Sequence, residues 1–222
     1  MPLGTGVLIH SAMPPSKRRA SPGASSADAA WPRAAPACCA ALIGASGLLG
    51  WWLGVPSLQS VLPSLPAMRP NVALGLMAAG SGLLLIPGGG RGWRPGLASA
   101  AGALACLLGL LTLAEHMVLV PRGLDQRLAA GSSTPLAIDP GRMSPAAAVA
   151  LGCAGAAVVL LAWAARAPHS AGSRRAAGLA HLLAAVPAAV TYLSLASHAY
   201  AVAGLDGFGP FAAAALNTAV AL

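Results

Sequence analysis

The chain has 222 residues, of which 57% are hydrophobic and only 8% charged, with a mean hydropathy of +0.73. Ordinary soluble proteins carry about 25% charged residues, and a domain of this size needs such a charged surface to stay in solution. A soluble globular domain is therefore excluded, as is collagen, because the 27 Gly and 19 Pro follow no Gly-X-Y period; both residues are accepted in membrane helices and their loops.

Residues 1–33 are rich in Pro, Ser, Ala and Arg, lack apolar periodicity and read as a disordered cytoplasmic leader. Met13 is an alternative start. A signal peptide built on Lys17 to Arg19 is the competing reading, but Ser21 to Arg33 puts a long polar stretch before any apolar core. A first membrane span is predicted over 34–55, closed by Trp51 and Trp52 at the interface where amphipathic rings collect. After a loop over 56–69, a second span runs 70–86 and is broken by Pro87-Gly88-Gly89-Gly90. It lies at the short end of the roughly 17–25 residues that a crossing requires. Further spans follow over 97–120, 145–165 and 176–203, and a sixth apolar stretch begins near Phe211 and stops at Leu222.

The net charge of +8 is sorted by side. The leader holds Lys17, Arg18, Arg19 and Arg33, and the gaps on the same side hold Arg91, Arg94, Arg166, Arg174 and Arg175. Arg69, Arg122, Arg127 and Arg142 fall on the other side, offset by Asp125, Asp139 and Asp206. The excess predicts a cytoplasmic N-terminus by the positive-inside rule, and no phosphate-tracking patch for nucleic acid. Cys38, Cys39, Cys106 and Cys153 all lie in apolar runs, where a thiol acts as a small hydrophobe. They form no disulfide framework and no metal-binding spacing.

The starts of alternate spans repeat. Met68-Arg69-Pro70-Asn71-Val72-Ala73 aligns, 75 residues on, with Met143-Ser144-Pro145-Ala146-Ala147-Ala148, and Leu216-Asn217-Thr218-Ala219 forms a third copy in which Asn217 matches Asn71. A proline at the first helical position costs no hydrogen bond, and Ser144 is a good cap. Asn71 and Asn217 are placed to cap or bridge helices through their amides. The predicted fold is all-α: a polytopic membrane protein of six transmembrane helices arranged as three repeated hairpins, about 34–86, 97–165 and 176–222, the sixth helix truncated.

These segments, PSLPAMRPNVALGL over 63–76, Gly123-Leu124-Asp125-Gln126, Pro140-Gly141-Arg142-Met143-Ser144-Pro145 and Leu216-Asn217-Thr218-Ala219, resemble the multi-helix membrane sensory region that precedes PAS, histidine kinase, GGDEF or phosphatase modules in bacterial signalling proteins. The resemblance covers roughly residues 44–222. It implies an input region in the bacterial inner membrane, non-enzymatic in itself, with a cytoplasmic output domain continuing from the sixth helix. Because the sequence stops at Leu222, the resemblance implies a fragment of a longer signalling protein. Its expected partners are the lipid bilayer, a second copy through helix contacts and the covalent output domain, with no cofactor.

Polar groups inside apolar spans are functional candidates. Glu115 and His116 fall near the outer end of the third predicted span; Thr191, Ser194 and His198 form a stripe at i, i+3 and i+7 on the fifth, with Tyr192 and Tyr200 close by. If the outer mouth gathers Glu115, His116 and His198, they can hydrogen-bond a small ligand, report pH or hold a divalent metal; alternatively they only anchor helix ends in the headgroup layer. No His-x-x-His or Glu-x-x-His spacing supports a metal, and no catalytic, phosphate-binding or dinucleotide fingerprint is present. His181 reads as a packing residue, and His10 and His169 carry no signal. The competing functions are a small multi-pass transporter or channel subunit and a passive membrane anchor.

Overall fold

A computed structural model describes residues 31–59, 67–86, 92–118, 143–167 and 170–199. The leader before Trp31, the loops that carry Arg142, Asp125 and Asp139, and the sixth stretch with Asn217 lie outside the described residues. Within them every regular element is a helix: α1 (Trp31–Leu53), α2 (Pro56–Gln59), α3 (Pro70–Leu85), α4 (Arg94–Val118), α5 (Pro145–Arg166) and α6 (Ala171–Ala199). Four of these, α1, α4, α5 and α6, are long and apolar enough to cross a membrane, whereas α3 is a shorter apolar helix.

Local chemistry sets the ends. The α1 helix begins at Trp31, inside the segment expected to be leader. It stops at Gly54, whose φ of 66° only a residue without Cβ adopts cheaply, and the Val55 amide donates back to the Gly50 carbonyl at 2.9 Å. The region expected to be loop then makes one further turn, α2, opened by Pro56, since a ring-fixed φ suits a first helical position. Both Pro70 and Pro145 start helices at their predicted positions. Ser144 caps α5, its Oγ accepting from the Ala147 amide at 3.2 Å. The α6 helix starts five residues before the expected 176, because Ser170 caps it by accepting from the Ser173 amide at 3.0 Å. The Ser173 hydroxyl donates to the Ala164 carbonyl at 3.0 Å and ties α5 to α6.

The α3 helix, 16 residues long, spans about 24 Å at 1.5 Å per residue, short of a hydrocarbon layer of about 30 Å. It packs against α1, α4 and α5 and has ten buried residues, so its flanks meet protein where a lone short helix would meet lipid. Elsewhere α4 packs on α5, α5 on α6, and the short α2 on α1. The core around α3 joins Met68, Val72 and Leu76 to Ala105, Met143 and Leu151, all buried.

Two crossings share one geometry. Where α1 meets α3, a Cβ placed on Gly44 would fall 2.5 Å from the Ala73 carbonyl oxygen and the Met77 nitrogen; one on Gly80 would strike Ala37 and Ala41. Where α4 meets α5, a Cβ on Gly109 would fall 2.5 Å from the Ala148 oxygen and 2.6 Å from the Gly152 nitrogen, and one on Gly155 would strike Gly102 and Cys106. At both, backbone touches backbone, the close approach that small residues permit in membrane helices.

Candidate functional site

The most enclosed polar cluster among the described residues lies where α3 and α5 begin. Asn71, in the first turn of α3, is 1% exposed. Its Nδ2 donates to the Thr112 hydroxyl of α4 and also lies against the Met143 thioether just before α5, each at 3.4 Å, while its Oδ1 accepts from the Val72 amide at 2.9 Å. Thr112 and Met143 are both buried, and Met68, just before α3, is buried as well. One amide thus links three segments at a depth where an unpaired polar group would be costly. Thr112 carried no sequence motif; a lone hydroxyl one turn before His116 in an otherwise apolar run was the only available signal.

The flanking residues reinforce this end. Trp51 Nε1 donates to the Met68 carbonyl at 2.7 Å, the Met68 amide donates to the Gln59 carbonyl at 2.7 Å, and Gln59 Nε2 donates to the Gly50 carbonyl at 3.0 Å. The predicted interfacial tryptophan therefore clamps the segment that leads into α3. At the opposite end of the bundle, Arg166 Nη2 donates to the Pro95 carbonyl at 3.2 Å and joins α5 to α4.

The residues expected to gather at the mouth lie on two helices. His116 is partly buried, and its Nδ1 sits 2.8 Å from the Thr112 carbonyl one turn back. The imidazole is thus turned along its own helix. Glu115 lies beside it, also partly buried. On α6, Ser194 is fully buried, whereas the Thr191 hydroxyl oxygen is shut away from solvent with no hydrogen-bond partner among the described residues. His198 belongs to α6, but its side chain lies outside the described residues. The structure brings Asn71, Thr112 and Met143 together; it places Glu115 and His116 on α4 and Thr191 and Ser194 on α6, two helices that share α5 as a packing partner. His181 Nδ1 likewise binds its own helix, at the Ala177 carbonyl, from an exposed position.

Among the described residues no group of three or more His, Cys, Asp or Glu side chains is placed to hold a metal ion. All four cysteines are free thiols. Cys106 and Cys153 line an open groove of about 240 Å³ between α4 and α5, walled by Leu110, Leu113 and Val149, with Leu183 of α6 also on its lining. With apolar walls, it has nothing to orient a polar ligand.

The fold defines an α-helical protein whose longer helices are suited to crossing a membrane. No family model, curated protein or solved structure matches the chain.

Proposed function

We propose that the chain is the membrane-embedded input region of a bacterial signal-transduction protein, coupled to a cytoplasmic output domain such as a histidine kinase or a diguanylate cyclase. The observation that carries this reading is the buried Asn71–Thr112–Met143 cluster, two of whose members, Asn71 and Met143, lie in the boxes that resemble bacterial sensory regions. An amide shared between three segments sets the register of α3 against α4 and α5. A stimulus that reseats it shifts the packed helices by a small step, on the order of 1–2 Å, and a sixth helix passes that shift into the cytoplasm.

In the same reading the protein sits in the bacterial inner membrane with its N-terminus in the cytoplasm, because Arg94, Arg166, Arg174 and Arg175 cluster at the end of the bundle away from Trp51 and Met143. It consists of three hairpins, and the matching crossings of α1 with α3 and α4 with α5 support the first two. It pairs with a second copy through its helices, as transducers that relay helix shifts do when they act across a two-fold axis.

The test is made in the complete gene product in native membranes. Asn71→Leu removes the shared amide and puts an apolar side chain of similar size in its place, and output activity, read as phosphotransfer or cyclic dinucleotide formation, is expected to change at least severalfold while the protein remains inserted. Output that is indifferent to Asn71→Leu and to a combined Glu115, His116 and His198 replacement favours a passive anchor. Solute flux in proteoliposomes that is lost in His198→Ala favours a transporter.

A further inference from the structure

The arginine-rich end of the bundle is assembled from three helices. Arg94 opens α4, Arg166 closes α5, and Arg174 and Arg175 stand at the start of α6. Two hydrogen bonds draw these positions together. Arg166 Nη2 donates to the carbonyl of Pro95, the residue after Arg94, and the hydroxyl of Ser173, the residue before Arg174, donates to the carbonyl of Ala164, two residues ahead of Arg166. The Trp163 ring packs into the same corner, where a Cβ placed on Gly172 would meet it at 3.0 Å. All four arginines are nevertheless exposed.

Their setting differs from that of charges scattered over loops. Arg94, Arg174 and Arg175 lie within or just beyond the first turns of their helices, where the positive end of the macrodipole disfavours a cation, and neither α4 nor α6 has an acidic residue in its first turn to offset them. Among the described residues the one acidic side chain, Glu115, lies toward the far end of α4. The positive charge gathered here therefore has no counter-charge within the described protein. Directly beneath it the surface is apolar. Leu97 and Leu179 follow Arg94 and Arg175 at i+3 and i+4, so each shares a helix face with its arginine, and both leucines are exposed, as is Trp163 on the helix between. A cation one turn above an apolar flank occurs on α4 and again on α6, the same order as a lipid headgroup above its acyl chains.

We propose that Arg94, Arg166, Arg174 and Arg175 form a binding site for the phosphodiester of an anionic phospholipid whose acyl chains lie along the Leu97 and Leu179 faces. Arginine fills all four positions, and its planar fork meets two phosphate oxygens at once where a lysine offers a point charge. Arg166 uses one of its five N–H donors on Pro95, which fixes the guanidinium and leaves the others for the headgroup. Charge and apolar flank select the ligand jointly, since a free phosphate satisfies only the first. The inference needs a chain that crosses a membrane and is independent of any signal it carries.

Native mass spectrometry of the full chain, released from nanodiscs that hold phosphatidylglycerol and phosphatidylcholine in equal amounts, tests it. The protein is expected to retain phosphatidylglycerol over phosphatidylcholine by roughly tenfold or more, since each arginine at an anionic surface contributes about severalfold. Arg94→Gln, Arg174→Gln and Arg175→Gln together are expected to bring that ratio close to unity. Arg122→Gln, Arg127→Gln and Arg142→Gln, which remove the same charge elsewhere in the chain, are expected to leave it unchanged. Equal retention of the two lipids by the unaltered protein overturns the proposal. So does an equal loss in both triple variants, which makes net charge the cause in place of this cluster. Displacement of the retained phosphatidylglycerol by millimolar inorganic phosphate overturns it too, because the site is then one for free phosphate.

Discussion

Asn71 is the residue on which the described core turns, because its buried amide reaches both α4 and the approach to α5 from the first turn of α3. Thr112→Val keeps the shape of the threonine and removes the hydroxyl that accepts from the Asn71 amide across the α3–α4 contact. The expected cost is about 1–2 kcal/mol, the range for interhelical hydrogen bonds in membranes, measured as a loss of stability by steric trapping or thermal unfolding in detergent. Thr112→Ser, which retains the hydroxyl, is expected to recover most of it. Ser144→Ala removes the cap of α5 and is expected to cost about 1 kcal/mol by the same measurement.

Between elements, size matters more than polarity. Gly109 and Gly155 lie where α4 and α5 touch through their backbones, and a branched side chain has no space to turn into. Gly109→Val is expected to destabilise the bundle by about 1–3 kcal/mol or more, as overpacking does, whereas Gly96→Ala, whose Cβ meets nothing within 4 Å, is expected to be neutral in the same unfolding assay. The helix starts at Pro70 and Pro145 were legible in the sequence because a proline at the first helical position, joined at the second by the Ser144 cap, acts locally, within a single turn. The start of α6 was not, because Arg174 and Arg175 look like loop charges until Ser170 is seen to cap the turn before them. The α2 turn and the Trp51–Met68 clamp depend on contacts across the Gly54 turn, which hydropathy does not register. Of the candidate site, Asn71 and Met143 were legible from the repeat. Their partner Thr112 was not, since the contact joins residues 41 apart and only the packing of α3 on α4 brings them together.

For the whole molecule, the shortage of charge that places the chain in lipid also determines how it is held together. With apolar surface favourable on both sides of a helix, specificity falls to close backbone crossings and to a few buried polar groups. A molecule built this way is suited to discrete shifts in register, since small-residue crossings slide and a single shared amide has few alternative seats. The most direct measurement locks that seat. In the complete protein, with the native cysteines replaced, Asn71→Cys and Thr112→Cys are joined by oxidation and released by reductant while output activity is followed in native membranes. The account predicts that output moves to a fixed level when the bond closes and returns when it opens; output that stays the same in both states contradicts it.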